Sequence, residues 1–158
     1  THDYIPKEID IYEEIIKNLE SEYKVQINEK KLKFDVINNT DNTGIIADSY
    51  SVNQIFANLI DNAIKYTTKG EIKIICNRNE KDEMIVSVID TGLGISEEYL
   101  PRIFEEFSQE DAGYTRKYEG NGLGLALVKK YCELNNAEIS VKSEKGKGSN
   151  FTVKFKNN

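Results

Sequence analysis

Three groups of residues in this 158-residue chain have types and spacings that could do chemistry. Asn58, Asn62 and Lys65 stand at i, i+4 and i+7, so on a helix two carboxamides and an ammonium project from one face. That set suits a magnesium-bound phosphate, because Mg²⁺ takes oxygen ligands, keeps water and phosphate oxygens in its shell and needs few protein contacts. Taken alone, a solvated polar face is the commoner meaning of such a triplet. Gly120, Gly122 and Gly124 alternate just before a helical stretch, where backbone amides cleared of side chains hold phosphate. A flexible loop would read the same, and the spacing is not that of a dinucleotide fingerprint. Asp90-Thr91-Gly92-Leu93-Gly94 ends a strand that reads as buried. A carboxylate there needs donors; adenine supplies one through its amino group, whereas guanine presents an acceptor oxygen. Gly92 and Gly94 would let a base lie against the backbone, although an Asp capping its own turn is the more frequent meaning of Asp-Thr-Gly.

The elements that must position these residues follow from periodicity. The clearest helix runs from about Tyr50 to Tyr66 and stops before Gly70, with Val52, Ile55, Phe56, Leu59, Ile60, Ala63 and Ile64 as its apolar stripe. An amphipathic helix is read over Glu8 to Tyr23, and Leu32, Phe34 and Val36 alternate as in a strand. Asn38 to Gly44 reads as a loop. Two strands, Glu71–Cys76 and Glu83–Ile89, lead into the Asp90 turn, followed by a short helix from Glu97 capped by Ser96. A helix carrying Leu125, Val128, Tyr131 and Leu134 starts at the second glycine turn, and strands Glu138–Ser143 and Asn150–Phe155 follow. This order predicts an α/β (α+β) two-layer sandwich, a mixed and mainly antiparallel sheet covered on one face by about three helices.

Composition restricts the function. With 39% apolar residues the chain fits one compact domain able to bury a core without staples. Its 27 acidic against 21 basic residues give a formal charge of -6, the wrong sign for a general nucleic-acid binder. Cys76 and Cys132 have neither zinc nor disulfide-framework spacing, which fits a reduced, cytoplasmic setting. The longest apolar run is too short for a membrane span, so no membrane contact by this chain is expected, while a parent protein anchored in a membrane is compatible with it.

Five motifs in order make a family resemblance specific: NLIDNAIKYT at 58–67, DTGLGI at 90–95, IFEEF at 103–107, GNGLGL at 120–125 and GKGSNF at 146–151. The chain resembles the catalytic ATP-binding domain of sensor histidine kinases, within the gyrase, histidine-kinase and MutL ATPases of the Bergerat-type fold, over nearly its whole length. The resemblance implies an ATP site between the two layers under a mobile lid. It implies Mg²⁺ held by Asn62 with Asn58 assisting, and Lys65 near the phosphates. Tyr66 is expected against the adenine and Asp90 on its amino group, over a floor of Gly92 and Gly94 in which Ile95 takes part. Gly120, Gly122 and Gly124, with the amides of Leu123 and Leu125, are expected around the phosphates. Phe104 and Phe107 would anchor a lid over about 108–119, from which Arg116, or less securely Lys117, would reach the γ-phosphate.

The resemblance further implies a division into a linker remnant at 1–7 and the catalytic domain at 8–158. Its partners would be ATP, an upstream dimerisation domain bearing the acceptor histidine, and a response-regulator receiver domain, with an isolated monomer and a homodimeric parent. His2, the single histidine, lacks the acceptor pattern, so the chain alone should not autophosphorylate. Asn58 stands where hydrolysing relatives carry a Glu; a carboxamide is a poor general base, so fast hydrolysis is not expected. Asn121 and Ala137 also depart from the residues commonest there. Competing readings are an ATP-sensing regulatory module without phosphotransfer, a serine kinase of the anti-sigma type, and a conformational switch of the gyrase or MutL type. Asn58 disfavours the last, and the helical lead-in at 8–24 disfavours the anti-sigma type.

Overall fold

The computed structural model describes residues 3–105 and 124–157. Its elements are β1 (Pro6–Asp10), a π-helical segment (Ile11–Ile16) running into α1 (Lys17–Glu29), β2 (Lys33–Asn38), β3 (Gly44–Asp48), α2 (Ser49–Tyr66), β4 (Glu71–Arg78), β5 (Met84–Asp90), a 3₁₀ turn (Leu100–Arg102), α3 (Gly124–Leu134), β6 (Ala137–Glu144) and β7 (Gly148–Phe155). Five strands form one sheet in the order β2-β4-β5-β7-β6, and β1 and β3 form a separate two-stranded ribbon. Only β2 and β4 run parallel, so the sheet is mixed and mainly antiparallel.

Period-two patterning decides which face is covered. Ile72, Ile74 and Cys76 on β4, Met84, Val86 and Val88 on β5, and Phe151, Val153 and Phe155 on β7 are buried, while their neighbours are mostly half-exposed. The apolar stripe of α2 closes over this face, every one of its seven residues buried, and the rings of Phe56 and Phe155 meet at 6.4 Å. Each such side chain contributes about 1.5–3 kcal/mol by leaving water. The expected two-layer sandwich is the observed one.

Two local differences have one cause. The helix read from Glu8 begins at Ile11, because Pro6–Asp10 pair with Gly44–Asp48 across more than thirty residues of sequence. Local periodicity carries no signal for such pairing, so β1 and β3 are invisible to it. Asp10 then ends the strand and starts the helix, accepting the Glu13 N–H at 3.0 Å. The short helix expected after Ser96 is a turn followed by the 3₁₀ segment, with the Ser96 carbonyl accepting from Tyr99 and Leu100.

Candidate functional site

Helix α2 is the axis of the site. Asp48 starts it, accepting the Ser51 N–H at 3.0 Å, and Thr67 ends it in an extended conformation. Between Asn58 and Tyr66 it rises about 12 Å, at ~1.5 Å per residue. One end of that span lies near Gly124 and the other meets the Asp90 turn. Asn58 donates through Nδ2 to the Gln54 carbonyl at 2.8 Å, and its Oδ1 lies 3.9 Å from where a Cβ on Gly124 would sit, so this face approaches the first residue of α3. Eight residues on, the Tyr66 carbonyl accepts the Leu93 N–H at 2.9 Å and fastens the Asp90 turn to the end of α2.

Asp90 is 6% exposed at the end of β5. The Gly92 N–H donates to its Oδ1 at 2.9 Å, and the backbone of Ser149, its register partner on β7, supplies a second donor. Burial pushes the carboxyl up to about 6, against the pull of these two bonds. A carboxylate has lone pairs for more donors than two, so it retains capacity for a ligand's N–H.

The glycines of this turn serve the protein's own packing. A Cβ on Gly92 would fall 2.2 Å from the Tyr66 carbonyl oxygen, and one on Gly94, at φ +72°, would fall 2.1 Å from the Glu144 carbonyl oxygen. Three backbone segments thus pass at distances that no side chain permits. Ile95 is buried and donates its N–H to Ser143 Oγ at 2.8 Å; the same hydroxyl meets the Gly148 carbonyl at 2.9 Å and the Ser149 hydroxyl at 2.8 Å. Gly146 N–H donates to the Leu93 carbonyl at 2.7 Å, so the β6–β7 turn braces the Asp90 turn.

Asn62 is 7% exposed, and its Nδ2 is buried without a hydrogen-bond partner. Lys65 pairs with Asp61 at 3.3 Å, both half-exposed, a contact worth little in water. Leu125 is fully buried behind Gly124, and the Phe104 ring meets Phe151 edge-on at 6.2 Å. Among the described residues no three His, Cys, Asp or Glu side chains gather as a metal site.

Asn58, Asn62, Lys65, Tyr66, Asp90, Gly92, Gly94, Ile95, Gly124 and Leu125 have described positions; Asn58 approaches Gly124, and a hydrogen bond fastens Tyr66 to the Asp90 turn. Phe107, Arg116, Gly120, Gly122 and Leu123 lie outside the described residues, as do His2 and Lys117. Sequence reasoning missed Thr67, Ser143 and Ser149. Thr67 closes the quoted NLIDNAIKYT and Ser149 stands inside the quoted GKGSNF turn, so both could have been found; nothing local marks Ser143.

A cleft of about 810 Å³ opens elsewhere, lined by β1, β3, Met84 and the chain's last strand, and none of the expected site residues lines it. Met84 and Asp90 are six residues apart on β5, about 20 Å at ~3.3 Å per residue. Distance along β5 therefore separates this cleft from the Asp90 turn.

The sheet, its helical cover and the Asp90 turn fastened to α2 define the α/β sandwich of histidine-kinase ATPase domains. Residues 47–158 match the family described as histidine kinase-, DNA gyrase B- and HSP90-like ATPases, and the chain belongs to that family. It is 47% identical over 119 residues to hybrid signal transduction histidine kinase L of Dictyostelium discoideum, covering 71% of this chain and 7% of that protein. With the autoinducer 2 sensor kinase/phosphatase LuxQ of Vibrio cholerae it shares 36% identity over 146 residues, 90% of this chain and 17% of the relative. The chain thus spans less than a fifth of either relative's length. Full-length ShkA, solved in complex with AMPPNP, superposes with a TM-score of 0.84 at 26% identity, over 98% of this chain and 31% of the other. The catalytic domain of histidine kinase ThkA matches in fold, with a TM-score of 0.80 at 24% identity over 96% of this chain and 97% of that one. No helix among the described residues is long and apolar enough to cross a membrane.

Proposed function

We propose that this chain binds Mg-ATP along α2 and donates the γ-phosphoryl group to a histidine on a separate dimerisation domain, for onward transfer to a response-regulator aspartate. The observation that carries the reading is helix α2, which passes Gly124 at Asn58 and, about 12 Å further on, holds the Asp90 turn through the Tyr66 carbonyl. That separation accommodates a nucleotide with its base at Asp90 and its phosphates at Gly124. The names of the relatives, sensor and hybrid histidine kinases, support the kinase class.

Asp90 accepts from the adenine amino group and rejects the guanine oxygen. Tyr66 lies along the base, and Gly92, Gly94 and Ile95 hold the backbone that forms its floor. Asn62, assisted by Asn58, would offer carboxamide oxygens to a magnesium ion, whose charge would offset that of the phosphates. Lys65 leaves Asp61 for the phosphates, a small cost at an exposed pair. The acceptor imidazole attacks phosphorus with its own lone pair, a nitrogen–phosphorus bond forms, the bond to the bridging oxygen breaks, and ADP leaves. The domain supplies position and charge, its usual share in phosphoryl transfer. Asn58 cannot activate water, which preserves the γ-phosphate for the histidine.

Calorimetric titration of Mg-ATP into this chain, with GTP and Asp90→Ala as controls, tests the site. Saturable binding that prefers ATP and is lost in the variant is expected; a well-folded chain that does not bind would overturn the reading. Adding a histidine-bearing helical domain should then yield a phosphohistidine, whereas transfer to a serine of a small antagonist protein would reassign the kinase class.

A further inference from the structure

The face of the five-stranded sheet that turns away from α2 is less polar than an open face should be. Where one side of an antiparallel sheet meets water, its outward positions are normally polar. Here Ile37 on β2, Ile75 on β4, and Ile85 and Ile89 on β5 stand on the opposite side of their strands from the residues packed into the core, and all four are left half-exposed. Ile37 and Ile75 are register partners, and Ile85 and Ile89 flank Ser87, which is the partner of Ile75 on β5. The four therefore form one contiguous apolar patch.

Strand register maps the rest of this face. Its middle row reads Ile37, Ile75, Ser87, Thr152 and Ser140 across β2, β4, β5, β7 and β6. On one side of it runs the row Asp35, Lys73, Ile89, Asn150 and Lys142, and on the other the row Asn77, Ile85, Lys154 and Glu138. A two-fold axis along the middle row lays each strand on its own copy in reverse and exchanges the two flanking rows. Ile85 then meets the partner's Ile89, Lys142 the partner's Glu138, Lys154 the partner's Asn150 and Lys73 the partner's Asn77, with no like charges directly opposed. An axis along β5 would instead set Ile37 and Ile75 on Ser140 and Thr152, apolar on polar. Ser87 Oγ and Thr152 Oγ1 bond each other at 3.1 Å, so covering them strands neither hydroxyl.

We propose that this face is a self-complementary docking surface for a second copy of the chain, the two sheets packing face to face through the four isoleucines and leaving α2 and the Asp90 turn of each copy on the far side. Five strands at ~4.8 Å and about five residues of each at ~3.3 Å give about 400 Å² per copy. That is about half the area of a stable dimer, so the pairing is weak, with a dissociation constant of about 0.1–1 mM. The chain is a monomer at micromolar concentration, and two copies tethered to one partner would meet at the millimolar effective concentration at which such a contact forms.

Sedimentation equilibrium from about 10 μM to about 1 mM tests the pairing. The wild-type mass should rise from 18.0 kDa toward twice that value. Ile75→Lys sets two like charges against each other on the axis and should weaken association at least about tenfold. Lys142→Glu should weaken it about fivefold, and Glu138→Lys combined with Lys142→Glu should return it to within about twofold of wild type. Thermal melting confirms that each variant folds, and if Ile75→Lys does not, the charge exchange carries the test. A monomer throughout that range would overturn the proposal and leave the face to a different partner. So would a dimer indifferent to Ile75→Lys, which would place the contact elsewhere, or one that the charge exchange fails to restore, which would reject this axis.

Discussion

Asp90 shows how a functional group can cost the fold that carries it. Its carboxyl sits at about 6 in the folded chain against 3.8 for an ordinary aspartate, raised by burial. The folded state therefore holds this proton more tightly than the unfolded one. The resulting stabilisation is complete below about pH 4 and is lost as pH rises through about 6, a difference of about 3 kcal/mol at ~1.4 kcal/mol per unit. Asp90→Asn should raise the unfolding free energy at pH 7.5 by about 1–3 kcal/mol and change it little at pH 4, as read by urea denaturation at the two values. An amino group donating to Asp90 favours the charged form, so ATP binding should weaken below pH 6 and release protons near it. Calorimetry at pH 6 in two buffers of different ionisation enthalpy would reveal that release as a buffer-dependent heat.

Between elements, a buried polar knot sets how α2 meets α3. Asn135 Oδ1 accepts the Asp48 N–H at 2.8 Å, while its Nδ2 donates to Ser51 Oγ and to the Tyr131 carbonyl, each at 2.8 Å. Ser51 Oγ in turn meets Asp48 Oδ2 at 2.6 Å, and Asp48 Oδ1 accepts the Ile5 N–H at 3.2 Å. The start of α2, the end of α3 and the incoming chain are joined by side chains that leave no room for slippage. Asn135→Ala should cost about 2–3 kcal/mol, because it strands several buried groups at once, and chemical denaturation measures it. The link to Asn135 was not legible in the sequence, since Asn135 stands more than eighty residues from both Asp48 and Ser51. What was legible has short range: the stripe of α2, the alternation of β4 to β7, and the five motifs. The β1–β3 ribbon was not, because it forms only between residues brought together by folding.

At the scale of the molecule, both thiols lie inside. Cys76 and Cys132 are buried on β4 and α3, and burial, with lesser help from the Asp10 and Glu133 charges respectively, pushes each up to about 12. A thiol reagent near neutral pH should label neither in the native chain and both together at the rate of global opening; fast labelling of one alone would reveal a local opening. The two ends of the described chain also share a neighbourhood. Tyr4 and Asn157 line one cleft, and Asn157 Nδ2 donates to the Lys81 carbonyl at 2.8 Å in the turn between β4 and β5. That cleft lies about 20 Å along β5 from Asp90. Tyr4 and Asn157 thus stand together and away from the Asp90 turn, like two hinges on one side of a door.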